Sequence, residues 1–178
     1  MEGSKAINVF LARIFGFYFF WLVSDNYLTH NFVLFNKVWS FIYHIFLEVV
    51  NNSSTFFLER LGYSIVSDYR SIAIVGSFGV VIGNHCVGFG LSFACFALFT
   101  SYPAPTKLKL WFVPLSVFFI VLVNILRVVA LTVFIYKDPN VNSAEQHDLF
   151  NYMIYLLVFV LWIVWIQFIV PTKQKKPI

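Results

Sequence analysis

The chain alternates between long apolar segments and short polar connections, and the apolar segments are its strongest signal. Four of them, residues 7–23, 86–101, 109–135 and 149–170, consist almost entirely of aliphatic and aromatic side chains. A helix needs about 20 mostly apolar residues to cross the hydrocarbon core of a bilayer. The pattern therefore predicts about four transmembrane helices.

A further apolar segment, residues 32–58, carries a regular set of polar side chains. These recur every three or four residues, which puts them on one side of a helix. They are Lys37, Ser40, His44, Glu48, Asn51 and Thr55. Because a helix with one polar stripe suits the membrane interface, we interpret this segment as an amphipathic interfacial helix and not as a fifth span.

Residues 71–83 show a different pattern, with two short runs rich in β-branched residues. The runs, 71–75 and 78–82, are separated by Gly76-Ser77. Such runs joined by a glycine-containing pair predict a β-hairpin. The predicted fold is thus an all-α polytopic membrane protein, a single membrane domain over residues 1–178, with an interfacial helix and a small β-hairpin.

Composition excludes a water-soluble protein. Of the 178 residues, 60% are hydrophobic and only 11% are charged, and the mean hydropathy is +0.82. A soluble domain carries about 25% charged residues. The chain therefore has too little polar surface to enclose its apolar side chains in a water-soluble core.

The distribution of charge predicts the orientation, because lysine and arginine accumulate on the cytoplasmic side of membrane proteins. With four spans and both termini in the cytoplasm, six lysines lie inside and most acidic residues lie outside, together with the hairpin. The lysines are Lys5, Lys107, Lys109, Lys173, Lys175 and Lys176, and the acids are Asp25, Glu48, Glu59, Asp68, Asp138, Glu145 and Asp148. The basic residues are then expected to bind anionic membrane lipids, not nucleic acid.

Three reactive side chains lie at the outer ends of different spans. Cys86 opens the second span, and His147 directly precedes the last one. Arg127 lies 18 residues beyond Lys109, which is about 27 Å along a helix and close to the outer limit of a hydrocarbon core about 30 Å thick. A thiol, a guanidinium and an imidazole at one membrane depth suggest an active site for nucleophilic catalysis.

Each of these residues also has a purely structural explanation. A free cysteine is usually a small buried hydrophobic residue, which suits Cys95 better than Cys86. An arginine near the end of a span can extend to the headgroups, although Asn124 shares a helix face with Arg127. A lone histidine in a loop, such as His147, is commonly solvated.

Other arrangements of the same residues are possible. His85, adjacent to Cys86, is an alternative base. A metal site built from Cys86, His85 and His147 has no ligand-spacing motif to support it. Cys95 lies about 13 Å from Cys86 along a helix, too far for a disulfide. The remaining histidines are expected to be solvated, and they are His30 and His44.

The order of these motifs is similar to that of a known family. Cys86-Val87-Gly88, then Asn124-Ile125-Leu126-Arg127 within a span, then His147 before the last span, resembles the exosortase/archaeosortase family of membrane cysteine transpeptidases. The runs LERLGY at 58–63 and KLWFVP at 109–114 are also similar, and the resemblance extends from residue 58 to the C-terminus. Within the family, the chain most resembles the short single-domain forms of the Bacteroidetes group.

The resemblance implies a multi-pass enzyme of the bacterial inner membrane with a periplasmic active site and no cofactor. Its partners would be secreted proteins that end in a short motif, a transmembrane helix and a basic segment. It would cleave them at the motif through a thioester and transfer them to an acceptor such as a lipid or glycan. Cys86 would be the nucleophile, His147 the general acid and base, and Arg127 the partner of the oxyanion or substrate. The supporting residues would be Asn124, which would hydrogen-bond Arg127, Gly88, His85 and Asp148.

Two positions depart from the family pattern. Val87 stands where Ser, Ala or Asn is commoner, and Asn151 stands where Gly is frequent. Neither change removes a reacting group, but both leave the recognised motif open. A different class of protein also fits the residues: a non-catalytic scaffold or lipid-carrier-binding protein in surface-polymer export, in which Arg127 holds a phosphate or carboxylate.

Overall fold

The computed structural model describes residues 2–138 and 143–170; the side chains of residues 2–6, 84–85 and 143–149 are outside that description. The helices are α1 Glu2–Val23, α2 Thr29–Asn31, α3 Val33–Arg60, α4 Phe89–Ser101, α5 Thr106–Lys137 and α6 Ser143–Val164. The strands are β1 Ile65–Asp68, β2 Ser71–Ile74 and β3 Val80–Val81. π-helical turns follow α1 and α6, at Ser24–Leu28 and Trp165–Ile169, and a 3₁₀ turn, Asn84–Val87, precedes α4.

Among the described residues, four helical stretches are long and apolar enough to cross a membrane. They are Ile7–Asn31, Val33–Arg60, Thr106–Lys137 and Phe150–Ile169. Many large apolar side chains on these helices are exposed, Phe15, Phe19 and Leu34 among them, as expected of a surface that faces lipid. With the small sheet, these helices confirm the predicted class of all-α polytopic membrane protein.

Two helices, α3 and α4, differ from the sequence-based prediction in their length or in their expected position in the membrane. α3, which was predicted at the interface, has 28 residues and is long enough to span. Only Lys37 and Glu48 are charged within its polar stripe, so the helix is also apolar enough to cross a membrane. α4 has 13 residues, which is about 20 Å along a helix. It begins only at Phe89, and Pro103 prevents its continuation. It is shorter than the predicted span over 86–101.

Part of the polar stripe on α3 packs against the sheet. Asn51 is buried, and its Nδ2 donates to the backbone carbonyl of Asp68 at 2.8 Å. The ring of His44 hydrogen-bonds with the hydroxyl of Tyr69. His44 is exposed, as predicted for a solvated residue, but it also contacts the turn between β1 and β2. The stripe therefore has partners within the protein.

The chain divides into two compact units. The first comprises the described residues of Met1–Ser40, Gly90–Phe118 and Val158–Ile178, and the second comprises those of Phe41–Phe89 and Phe119–Leu157. Aromatic rings fill the interior of the first unit. The ring centroid of Phe112 lies 4.8 Å from that of Trp165 and 5.0 Å from that of Phe99, and Trp165 is fully buried.

The second unit has an aliphatic core to which α3, the sheet, the 3₁₀ turn and α5 all contribute. Its buried members are Leu47, Val50, Leu58, Ile72, Ile82, Cys86, Val87, Ile125 and Val128. Aliphatic side chains from elements far apart in sequence thus share one core. The predicted cysteine nucleophile belongs to this core.

The sheet has the order β1-β2-β3, with both pairings antiparallel. β2 and β3 form the predicted hairpin, in which Ser71 pairs with Val81. β1 was not predicted, because it is only four residues long and three of them are exposed. The loop returns to β3 through Gly79, whose φ is +73° and where a Cβ would lie 2.7 Å from the Cβ of Ala73.

Candidate active site

Cys86 lies on the 3₁₀ turn that links the sheet to α4. Its backbone N–H donates to the carbonyl of Gly83 at 2.9 Å, and the residue is 6% exposed. The helix after it begins at Phe89, so Cys86 precedes α4 and does not open it as predicted. Neither Cys86 nor Cys95 is in a disulfide within the described part of the chain, and Cys86 packs in the aliphatic core of the second unit.

Gly88 brings the cysteine motif against the arginine motif. Its φ is +77°, and a Cβ at this position would lie 2.5 Å from Nδ2 of Asn124 and 3.2 Å from Cγ of the same residue. Only glycine fits both the left-handed backbone and this close approach. The structure therefore joins Cys-x-Gly to Asn-x-x-Arg through a direct contact between their glycine and asparagine.

Arg127 is buried within the protein. It is 1% exposed, so its guanidinium does not extend to the lipid headgroups, and that explanation is excluded. Nη1 donates to Oδ1 of Asn151 on α6 at 3.1 Å. Nε and Nη2 have no hydrogen-bond acceptor among the residues that the structure describes. A buried cation with two unused donors is costly, and an anionic group would satisfy both.

Asn124 does not support Arg127 in the predicted way. Its Nδ2 donates to the carbonyl of Ile120 one turn earlier on α5, at 2.8 Å. Its Oδ1 is buried and has no donor among the described residues. The partner of Arg127 is instead Asn151, one of the two positions that depart from the family pattern.

His147 was predicted in a loop, but its backbone belongs to α6, which begins at Ser143. It lies one helical turn before Asn151, the partner of Arg127. The side chains of His147, Asp148 and His85 lie outside the described part of the structure, so their predicted roles stay predictions. Within the described residues there is no group of three His, Cys, Asp or Glu that could hold a metal ion.

The structure thus brings the Cys-x-Gly motif against the Asn-x-x-Arg motif. The family model for transmembrane exosortases matches residues 11–164. The chain belongs to the transmembrane exosortase family. No curated protein and no solved structure matches it significantly. Family membership, with four helices that are long and apolar enough to cross a membrane, makes it a multi-pass membrane protein and indicates a role as a membrane transpeptidase.

A contact between Arg70 and Tyr43 in the second unit of this exosortase-family protein was not predicted from the sequence. Arg70, in the turn between β1 and β2, lies with its Cζ 5.5 Å from the ring centroid of Tyr43. Its Nη2 donates to the hydroxyl of Tyr43 at 3.4 Å. Tyr43 in turn packs against the core cluster that contains Cys86.

No sequence signal pointed to this contact, because its members are far apart in the chain. Tyr43 and Arg70 are separated by 27 residues and form no motif. In the sequence, Tyr43 is also one of many aromatic residues in an apolar segment, and nothing distinguishes it from the others. Only the return of the chain through β1 brings the arginine to the tyrosine.

Proposed function

We propose that the protein is a membrane cysteine transpeptidase in which Cys86 is the nucleophile. It would act on secreted proteins that carry a C-terminal sorting tail, at the extracytoplasmic face of the bacterial inner membrane. The observation that carries this proposal is the buried guanidinium of Arg127, with Nε and Nη2 unpaired among the described residues. A nucleophile and an unsatisfied cation held in one compact unit are the components that acyl transfer requires.

In the first step, His147 takes the proton of the Cys86 thiol, and the resulting thiolate attacks the scissile carbonyl carbon of the substrate. A C–S bond forms, and the carbonyl electrons move to oxygen. The two free donors of Arg127 stabilise the resulting oxyanion, which has no counterpart of equal charge in the ground state. When the tetrahedral intermediate collapses, the C–N bond breaks and His147 protonates the leaving amine of the tail. The product is a thioester on Cys86.

In the second step, an acceptor replaces the sulfur. His147, now neutral, removes a proton from the acceptor nucleophile as it attacks the thioester carbonyl. The C–S bond breaks, and Cys86 is restored. The acceptor is an amine or hydroxyl of a lipid or glycan in transpeptidation, and water in simple hydrolysis.

The positions of Asn151 and His147 on α6 support these roles. Asn151 holds Nη1 of Arg127, which leaves Nε and Nη2 for the oxyanion. Residues four positions apart share one face of a helix, and His147 precedes Asn151 by four. One helix would therefore orient the cation and carry the acid-base residue.

The experiment is to express the protein with a secreted reporter that ends in a sorting tail encoded near its gene. Cys86→Ala, Arg127→Leu and His147→Ala are compared singly, and Cys95→Ala is the matched control for loss of a buried thiol. We expect Cys86→Ala to abolish removal of the tail, as followed by mass spectrometry. Arg127→Leu should slow it by roughly 100-fold, the usual cost of losing an oxyanion donor.

Processing by Cys95→Ala should equal that of the wild type. Removal of the tail at the normal rate in the double variant Cys86→Ala, Cys95→Ala would end the proposal. The chain has two cysteines, so this variant has no thiol that could form the thioester. His147→Ala should slow both formation of the thioester on Cys86 and its transfer to the acceptor, because His147 acts in both steps.

A second function is favoured by the burial of the thiol. Cys86 is 6% exposed and lies in an aliphatic core, as a purely structural cysteine would. In that case Arg127 would hold the phosphate or carboxylate of a bound lipid carrier, and the protein would be a scaffold in surface-polymer export. A water-soluble maleimide added outside distinguishes the two functions.

Rapid labelling of Cys86 at neutral pH, slowed by Arg127→Leu or His147→Ala, supports the enzyme. An unreactive Cys86 supports the binding protein. The Cys86→Ala variant reports any background labelling of Cys95, which is fully buried.

A further inference from the structure

β3 is an edge strand that leads directly into the turn carrying Cys86. Val80 and Val81 pair with β2 on one side, and no strand in the described part of the chain pairs with them on the other. Gly83 follows, and its carbonyl accepts the N–H of Cys86 at 2.9 Å. A peptide bound along this edge would lead toward the turn that carries Cys86.

The register shows which backbone groups face the open edge. The N–H of Ile82 donates to the carbonyl of Arg70 at 2.7 Å, so Ile82 and Arg70 form a hydrogen-bonded pair. Hydrogen-bonded and non-hydrogen-bonded pairs alternate along an antiparallel ladder. Val81, paired with Ser71, therefore directs its N–H and C=O away from β2.

The open edge lacks two of the features that usually protect an edge strand, namely charged residues and proline. Natural edges are blocked by charged residues, by proline or by covering elements. The run from Phe78 to Gly83 contains no charge and no proline. Val81 is 72% exposed and Phe78 is 92% exposed, so apolar side chains border the free backbone groups.

The opposite edge of the sheet is different. β1 ends in Asp68, a charged residue. Nδ2 of Asn51 on α3 donates to the carbonyl of Asp68 at 2.8 Å and to that of Tyr69 at 3.4 Å. A helix thus holds the end of β1, whereas no described strand pairs with the outer side of β3.

We propose that the cleavage segment of the substrate binds as a fourth strand beside β3. Its backbone would donate to and accept from Val81, and this pairing would deliver the scissile carbonyl to Cys86. Strand addition of this kind gives affinity through main-chain hydrogen bonds, while side-chain pockets give specificity. The inference rests on the proposed function and names how the same site holds its substrate.

The test compares Val81→Pro with Ser67→Pro. Val75 N–H donates to the carbonyl of Ser64, so by the same alternation Ser67 directs its N–H to the outer edge of β1. Each proline removes one outward N–H and leaves the pairing with β2 in place. Val81→Pro should raise the KM for the processed tail by roughly tenfold, the value of one good hydrogen bond. Ser67→Pro should leave KM unchanged.

A second measurement does not depend on the fold of a variant. Synthetic peptides that cover the cleavage segment are N-methylated at one residue at a time and given to the wild-type enzyme. Pairing with β3 predicts that inhibition of processing alternates along the peptide, since every second N–H of a strand faces its neighbour. Uniform tolerance of N-methylation, or equal KM values for Val81→Pro and the wild type, would overturn the inference.

The result also separates the two proposals. If Cys86→Ala processes the tail as the wild type does, the proposed function fails and this inference fails with it. If processing requires Cys86 but ignores both Val81→Pro and N-methylation, only the strand pairing is wrong.

Discussion

Gly88 and Arg127 have their properties because of what lies next to them. Arg127 is a buried cation whose one partner among the described residues is Asn151, which leaves two donors for a ligand. Gly88 has a positive φ and an asparagine amide where a side chain would be. The burial of Arg127 costs free energy, and such costs are common at functional sites, whereas Gly88 holds a backbone conformation that glycine adopts without strain.

Gly88→Ala should therefore impair both stability and activity. A left-handed alanine costs about 1–2 kcal/mol, and its Cβ would also displace the side chain of Asn124. We expect the free energy of unfolding to fall by about 2–3 kcal/mol and processing of a tail-bearing reporter to fall with it. Thermal unfolding in detergent and the rate of tail removal measure the two effects.

Gly83→Ala is the matched control for that substitution. Gly83 lies in the same segment, has a φ of −71° and has no atom within 4 Å of a built Cβ. It should behave like the wild type. Equal stability of the two alanine variants would contradict the role given to Gly88.

At the scale of elements, the contact between α3 and the turn after β1 decides how the polar stripe is used. Sequence periodicity assigned the stripe to the membrane interface, since a regular polar face is normally solvated. In the structure, Asn51 donates to the carbonyls of Asp68 and Tyr69, and His44 hydrogen-bonds with Tyr69. The stripe thus anchors the sheet from which the cysteine turn extends.

Asn51→Ala should loosen this anchor, and Asn52→Ala should not. Asn51 is buried, whereas Asn52 is its exposed neighbour on the same helix. Loss of the side chain at 51 removes its hydrogen bonds to the two carbonyls, and a hydrogen bond contributes about 1 kcal/mol to stability. Hydrogen exchange of the β1 and β2 amides should increase in the first variant alone, and identical exchange in the two would exclude the anchor.

At the scale of the molecule, orientation in the membrane follows from charge and from the number of helices that cross. The positive-inside rule predicts that the sheet lies outside and that Lys107 lies in the cytoplasm. α3 is long enough to span, and a span there would put residue 30 and the sheet on opposite sides. An interfacial α3 would keep them on the same side.

Single cysteines at positions 30, 66 and 107, in a background of Cys86→Ala and Cys95→Ala, test the orientation. An impermeant maleimide should label Val66→Cys in intact cells, and Lys107→Cys only after permeabilisation. Labelling of both Lys107→Cys and Val66→Cys from outside would show that the 13-residue α4 does not cross the membrane, and labelling of Lys107→Cys without Val66→Cys would reverse the topology. His30→Cys reports on α3: protection in intact cells indicates a span, and labelling together with Val66→Cys indicates an interfacial helix.

Hydrophobic segments, charge and short motifs were enough to predict the membrane class, the hairpin and the family. These features are local, because a span depends on about 20 consecutive residues and Cys-x-Gly can be read within three. The same local patterns misjudged where α4 begins, because the left-handed conformation of Gly88 depends on its contact with Asn124 on another helix.

Tertiary structure alone decided which residues serve one another. Arg127 donates a hydrogen bond to Asn151, Asn124 donates one to the backbone of its own helix, and Arg70 donates one to Tyr43. β3 became an open edge because of how it pairs with β2. The bond between Arg127 and Asn151 joins residues 24 positions apart, and the bond between Arg70 and Tyr43 joins residues 27 positions apart. Such contacts are set by packing of side chains in three dimensions, which no local pattern encodes.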